Sequence, residues 1–113
     1  MSEDIIIANP NIQAFFCIND PSALGSAAAV KAANKVGKIN VYSIDASPAG
    51  KQALLDGEFS AVAAQVPLKI ADYAFQQANT FLKDKVEVKE KKVYLDSYLV
   101  SVEEAKKTLN EWQ

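Results

Sequence analysis

Short apolar runs alternate along this chain with longer segments in which apolar residues recur every three or four positions. The short runs predict β-strands, and the segments with helical spacing predict α-helices. The predicted strands are residues 12–18, 39–44, 59–64 and 93–100. The predicted helices are residues 5–8, 21–33, 48–56, 67–82 and a terminal helix from Val102. This alternation predicts an α/β fold, a three-layer sandwich with a mostly parallel sheet joined by right-handed crossovers.

The boundaries of these elements carry recognisable start signals. Proline stands at the first position of three predicted helices, where its missing N–H costs nothing: Pro21, Pro48 and Pro67. Asp20 and Ser47 precede two of these prolines and are predicted to be helix caps. Ser101 and Glu104 have the spacing of a capping box for the terminal helix. Residues 12–18 are almost continuously apolar, which predicts a strand buried on both faces.

Composition narrows the possible functions. The chain has 113 residues, 12 basic and 14 acidic, with a net charge of −2 and no histidine, and every basic residue is lysine. A nucleic-acid surface needs a basic stripe, so nucleic-acid binding is not expected. Without histidine, the commonest general base and metal ligand is absent, so we expect no enzyme activity, no metal and no cofactor. Cys17 lies in an apolar run and is expected to be a buried small hydrophobe.

No apolar run is long enough to cross a bilayer, so no membrane insertion is expected. Residues 5–7 are too short, and too closely preceded by acidic residues, to form the core of a signal peptide. We therefore expect no signal peptide in this chain.

Polar residues lie directly after three of the predicted strands. Asn19, Asp45 and Gln65 each follow a strand, and each is followed within three residues by proline. The carboxyl ends of parallel strands share one edge of a sheet, where ligands bind. Asn19 and Asp45 also suit turns, whereas glutamine is neither a favoured cap nor a favoured turn residue. Two amides and a carboxylate match the hydroxyls of a polyhydroxy compound, so these three residues are the candidate ligand-binding site.

The segments around these residues resemble a known family. Residues 16–25 (FCINDPSALG), 41–48 (VYSIDASP) and 55–67 (LDGEFSAVAAQVP) resemble three successive motifs of the type I periplasmic sugar-binding proteins of ABC importers, closest to the ribose-binding type. The resemblance implies that Asn19, Asp45 and Gln65 hydrogen-bond a monosaccharide such as ribose. The family often has an aromatic residue before the aspartate, whereas this chain has Ile44.

The same resemblance implies the domain organisation and the partners. Residues 1–113 correspond to a partial carboxyl-terminal lobe, without the amino-terminal lobe that completes the sugar site. We therefore expect weak sugar binding by this chain alone, an ABC permease as partner of the full-length parent, and a periplasmic or extracellular parent. An incomplete lobe leaves an open sheet edge and an uncovered apolar face, which predict a homodimer.

Two other functions compete with this interpretation. The effector-binding domain of a LacI-type transcription regulator has the same fold, but this chain has no helix-turn-helix segment. A flavodoxin-like or receiver-like domain would need a Gly- or Ser-rich phosphate loop or a cluster of acids, and residues 22–26 are a poor version of such a loop.

Overall fold

The computed structural model of the chain describes residues 1–86 and 92–112. Its helices are α1 (Ser2–Ala8), α2 (Asp20–Ala32), α3 (Pro48–Leu55), α4 (Pro67–Asp84) and α5 (Val102–Lys107). Its strands are β1 (Ala14–Phe16), β2 (Asn40–Asp45), β3 (Ala61–Ala64) and β4 (Tyr98–Leu99). The predicted alternation of strands and helices is confirmed, with most boundaries within two residues of the prediction.

The four strands form one sheet in the order β1-β2-β3-β4. β1 pairs with β2 and β2 pairs with β3 in parallel, whereas β3 and β4 are antiparallel. The α/β class and the mostly parallel sheet are therefore confirmed. The predicted third layer is not formed by the described residues, because α2 and α3 pack on one face of the sheet and α4 buries none of its residues against the other. Because the carboxyl ends of β1, β2 and β3 lie along one edge, the residues that follow these strands become neighbours.

One face of the sheet carries the core. The buried residues of β2 and β3 on this face contact the small side chains of α2 and α3, where alanine allows the helices to approach closely. This cluster includes Ala23, Ala27, Val30, Val41, Ala53, Leu54, Val62 and Ala64. Cys17 belongs to the same cluster, which confirms the prediction that it is a buried hydrophobe.

The opposite face of the sheet is largely open. Phe16 and Ile18 are each 77% exposed and Leu99 is 71% exposed. Helix α4 has the predicted apolar face but buries none of its residues. The Cα atoms extend over 59 × 31 × 16 Å, and the shortest extent suits a sheet covered by one helical layer. The exposed apolar face expected of an incomplete lobe is thus present.

Two predicted strands differ from the structure. The apolar run at 12–18 forms a strand only at Ala14–Phe16, and Phe16 is exposed rather than buried on both faces, because β1 is an edge strand with the open face beside it. Of residues 93–100, only Tyr98 and Leu99 form a strand, because β4 pairs with no more than the last two residues of β3. The mixed charges of residues 83–92 predict a solvated connection between α4 and the last strand. Part of this segment, residues 87–91, lies outside the described residues.

Helix α5 is attached to α3 by a buried lysine. Lys51 is fully buried, and its Nζ donates hydrogen bonds to the main-chain oxygens of Thr108 (2.7 Å) and Glu111 (2.8 Å). Burial lowers the pKa of Lys51 from its ordinary value of 10.5, while the negative charges of Glu111 and Glu104 act in the opposite direction. Ser101 caps α5 by accepting a hydrogen bond from the Glu104 N–H, as the capping-box spacing predicts. None of the helices in residues 1–86 and 92–112 has the length and hydropathy needed to cross a bilayer.

Candidate functional site

Asn19 lies at the carboxyl end of the β1 segment and begins α2. Its Oδ1 accepts hydrogen bonds from the Ser22 N–H (3.0 Å) and the Ser22 hydroxyl (2.7 Å), so Asn19 is the N-cap of α2. The cap uses the side-chain oxygen only. The Asn19 Nδ2 group has no hydrogen-bond partner among the described residues, and the side chain is partly exposed.

Asp45 and Gln65 lie side by side at the ends of β2 and β3. Asp45 pairs with Ala64 in the sheet register, which places Gln65 one residue beyond the paired position. The Gln65 Nε2 group donates a 2.7 Å hydrogen bond to the Asp45 Oδ1 atom. Asp45 is partly exposed and Gln65 is exposed, so neither side chain is enclosed by the core.

The register also relates Asn19 to Asp45. Phe16 of β1 pairs with Tyr42 of β2, and Asn19 and Asp45 each follow their paired residue by three positions. Adjacent strands lie about 4.8 Å apart. The structure therefore brings Asp45 and Gln65 into contact and places Asn19 at the same strand edge.

Unusual backbone conformations occur at the two strand ends that carry Asp45 and Gln65. Asp45 has φ 122° and Ala46 has φ 56°, so two consecutive residues that carry a Cβ adopt positive φ. Val66, directly after Gln65, has φ 52°. Such conformations are costly for residues other than glycine, and in proteins they concentrate at ligand sites.

The prediction that Asp20 caps α2 is wrong. Its side chain is 1% exposed and faces the second strand–helix unit instead of its own helix. Oδ1 accepts a hydrogen bond from the Ser43 hydroxyl (2.5 Å), and Oδ2 accepts from the Ser47 N–H (2.8 Å) and the Ser47 hydroxyl (2.6 Å). Asn19 is the cap instead, because the Asp20 carboxylate is bonded to Ser43 of β2 and to Ser47 at the start of α3. Sequence reasoning missed this role, and the serines on both sides of Asp45 were the only local sign of it.

Ser47 is the N-cap of α3, as predicted. Its Oγ accepts a hydrogen bond from the Gly50 N–H while its hydroxyl hydrogen is donated to Asp20. One hydroxyl thus satisfies a helix end and a buried carboxylate together, which uses both of its hydrogen-bonding capacities.

A cavity of about 460 Å³ lies beside Gln65, between α4 and residues 93–97. Its lining includes Gln65, Tyr73, Tyr94, Ile70 and Leu95. The volume is within the range of about 300–1,000 Å³ that is typical of small-molecule pockets. The two tyrosines were not predicted as site residues, because their positions along the chain gave no sign that they would meet near Gln65.

The chemistry available at this strand edge is hydrogen bonding to polar groups. Asn19 offers amide hydrogens, and Asp45 and Gln65 each retain a side-chain oxygen without a partner in the described part of the chain. Donors and acceptors of this kind match adjacent hydroxyl groups. Within residues 1–86 and 92–112, no group of three or more acidic or cysteine side chains is arranged to hold a metal ion.

Comparison with known proteins identifies the family. The periplasmic binding protein domain family matches residues 2–85. The ribose import binding protein RbsB of Salmonella typhimurium is 35% identical over 88 residues, which are 77% of this chain and 29% of that protein.

Solved structures agree with this match. A periplasmic solute binding protein of an ABC transporter from Actinobacillus succinogenes, with bound D-allose, superposes with a TM-score of 0.83 at 28% identity, covering 94% of this chain and 36% of that one. A galactofuranose binding protein superposes with a TM-score of 0.83 at 33% identity, covering 96% of this chain and 38% of that one. This chain thus spans about a third of the length of these proteins, and none of the three named proteins is a transcription regulator. The resemblance inferred from the sequence is confirmed: the chain belongs to the periplasmic binding protein family.

Proposed function

We propose that residues 1–113 are part of the carboxyl-terminal lobe of an ABC-importer sugar-binding protein, and that Asn19, Asp45 and Gln65 bind a monosaccharide such as ribose. The observation that carries the proposal is the 2.7 Å hydrogen bond between Gln65 and Asp45 at adjacent strand ends. It shows that a carboxylate and an amide from separate strands share one partly exposed position. The named relatives, which bind ribose, D-allose and galactofuranose, support a sugar as the ligand.

The proposed recognition depends on paired polar groups. A sugar hydroxyl both donates and accepts a hydrogen bond, so it can donate to the Asp45 carboxylate while accepting from an amide hydrogen of Asn19 or Gln65. A ligand that lacks one of these hydroxyls leaves a polar partner unsatisfied, at a cost of about 1–3 kcal/mol where the site is dry. The tyrosines of the cavity beside Gln65 offer apolar surface to the C–H groups of the sugar ring.

The chain by itself should bind sugar weakly, because it provides one side of the site. In a full-length parent, an amino-terminal lobe would supply further contacts and exclude water when the lobes close. That parent would act in the periplasm or outside the cell and deliver the sugar to an ABC permease. The proposed role is binding without catalysis, consistent with a chain that has neither histidine nor arginine.

NMR titration tests the proposal directly. The isotope-labelled chain is titrated with D-ribose, and we expect shifts of the side-chain amide signals of Asn19 and Gln65, with a Kd in the millimolar range, equivalent to about −4 kcal/mol. Asp45→Ala should abolish both shifts, and Gln65→Ala should abolish the shift of the Asn19 amide. Gln52→Ala is the matched control, because Gln52 is an exposed glutamine that donates to Asp56 away from the strand edge.

The titration can either support or refute the proposal. Saturable shifts at Asn19 and Gln65 that survive in Gln52→Ala support the proposal. It fails if D-ribose and D-allose leave these signals unchanged, or if Asp45→Ala binds sugar as well as the wild type.

We also propose that the chain forms a homodimer through the open face of the sheet and helix α4. The total accessible surface is 7862 Å² for a 12.2 kDa chain. A compact monomer of this mass exposes about 6,100 Å². The excess of about 1,800 Å² exceeds the roughly 800 Å² per partner that a standard stable interface buries. Large apolar side chains are exposed on this surface, including Phe16 of β1 (77%) and Phe75 of α4 (73%).

Sedimentation or light scattering tests the dimer. We expect a dimer that Phe75→Lys weakens, because a charge replaces an exposed aromatic ring at the interface. Gln76→Lys introduces the same charge next to it, outside the apolar face of α4, and should leave the dimer intact. A wild-type chain that stays monomeric at high concentration contradicts the proposal.

A further inference from the structure

We propose that Asp20 is the positioning residue of this site: its buried carboxylate holds the bend at residues 44–46 in the conformation that presents Asp45 to the ligand and to Gln65. This inference rests on the proposed sugar site for its functional consequence. The positioning itself follows from the hydrogen bonds of Asp20.

The geometry places one anchor on each side of Asp45. The Asp20 Oδ1 atom binds the hydroxyl of Ser43, two residues before Asp45, and its Oδ2 atom binds the N–H and hydroxyl of Ser47, two residues after it. Between these anchors, Asp45 and Ala46 have φ 122° and 56°. A backbone in these conformations relaxes toward negative φ unless its surroundings prevent this. Asp20 therefore fixes both ends of the strained bend.

The surroundings of the carboxylate show that its position is tightly determined. Asp20 is 1% exposed, and Ala46, which is part of the bend, is completely buried. A Cβ atom at Gly50 would overlap the Asp20 carboxylate, so glycine at this position leaves the space that the carboxylate fills. Hydrogen bonds to a buried carboxylate are stronger than those between neutral groups, which suits them to hold an unfavourable backbone.

The same carboxylate connects two members of the proposed site. Asp20 directly follows Asn19, the N-cap of α2, and binds the residues around Asp45 at the start of α3. Asn19 and Asp45 are thus held relative to each other by one side chain that does not contact the ligand. Preorganisation of this kind strengthens binding because the ligand does not have to order the site.

NMR of the folded chain tests the positioning role without sugar. The wild type should show strong intraresidue HN–Hα NOEs for Asp45 and Ala46, typical of positive φ, and an NOE between the Gln65 side-chain amide and the Asp45 Hβ protons. In Asp20→Ala these NOEs should fall by at least about twofold while the core signals persist, because both anchors are lost. Asp20→Asn keeps an oxygen acceptor for Ser47 and should restore them.

A matched control separates positioning from general loss of a strand contact. The Ser60 hydroxyl bonds Asn40 Oδ1 at 3.0 Å, at the opposite end of the β2–β3 pair. Ser60→Ala should therefore leave the NOEs of Asp45 and Gln65 unchanged. If Asp20→Ala does not fold, Ser43→Ala decides the question, since it removes one anchor and should weaken the same NOEs.

The result that overturns the inference is a folded Asp20→Ala or Ser43→Ala chain with wild-type NOEs at Asp45, Ala46 and Gln65. Sugar binding is measured separately: Asp20→Ala should raise the Kd for D-ribose at least fivefold, and an unchanged Kd also contradicts the inference. A wild type that binds no sugar refutes the proposed function but leaves the NOE result for Asp20 intact, so the two failures are distinguishable.

Discussion

Replacing Gly50 with alanine should destabilise this protein, although the same change elsewhere in a helix usually stabilises it. Gly50 lies in the first turn of α3. Glycine to alanine inside a helix is normally favourable by about 0.5–1 kcal/mol, because alanine loses less backbone entropy on folding. At Gly50, however, the added Cβ would overlap the carboxylate of Asp20, and that carboxylate is held by hydrogen bonds in a buried position.

The magnitude follows from what the overlap displaces. Asp20 accepts hydrogen bonds from Ser43 and twice from Ser47. Each hydrogen bond to a charged group contributes about 1.5–3 kcal/mol, and overpacking a filled site costs about 1–3 kcal/mol. If one of the bonds is lost, the propensity gain is outweighed and the net loss is about 2–4 kcal/mol. This corresponds to a decrease in Tm of about 8–16 °C, at about 4 °C per kcal/mol for a chain of this size.

Urea and thermal unfolding followed by circular dichroism measure this loss. Gly25→Ala is the matched control: Gly25 lies in α2, and a Cβ there would meet no atom within 4 Å, so this variant should be as stable as the wild type or more stable. In an Asp20→Ala background the cost of Gly50→Ala should shrink, because the group that the methyl displaces is gone. The reasoning is refuted if Gly50→Ala matches or exceeds the wild type in stability, or if Gly25→Ala is destabilised equally.

Three further predictions concern the helix ends. Lys51→Met should lower the free energy of unfolding by about 2 kcal/mol and increase hydrogen exchange in α5, because the main-chain oxygens of Thr108 and Glu111 lose a charged donor; unchanged exchange in α5 would contradict the attachment. As the pH rises toward 10.5, the free energy of unfolding of the wild type should increase relative to that of Lys51→Met. The reason is that the pKa of Lys51 is lowered in the folded chain, which therefore releases this proton at a lower pH than the unfolded chain does. A difference that stays constant or decreases with pH up to 10.5 would contradict the lowered pKa. Asn19→Ala should cost about 1 kcal/mol through loss of the α2 cap to Ser22, measured by urea unfolding, and no measurable cost would disprove the capping role.

Much of the fold was predictable because it depends on neighbours in the chain. The spacing of apolar residues located the three long helices, and the prolines at 21, 48 and 67 located their starts within one residue. The caps at Ser47 and Ser101 follow the same local logic. For the candidate site, alternation of strands and helices was enough to predict that the residues after β2 and β3 would be neighbours, and Asp45 and Gln65 are in contact.

The remaining features depend on residues far apart in sequence. Asn19 and Asp20 are both favoured N-cap residues. Asp20 is not the cap because its carboxylate bonds Ser43 and Ser47, and these serines reach it only when β2 and α3 pack beside α2. A lysine side chain is usually exposed to solvent. Lys51 is nevertheless buried, because the end of α5 covers it and accepts its hydrogen bonds.

The sequence by itself determined where helices and strands form and which polar side chains end the strands, because those properties depend on residues within a few positions of each other. The tertiary structure decided which carboxylate is buried, how the backbone bends at Asp45, and that the apolar face of α4 stays exposed. These depend on the space and the hydrogen-bond partners that distant segments provide after they pack, and the pattern of residues along the chain does not contain that information.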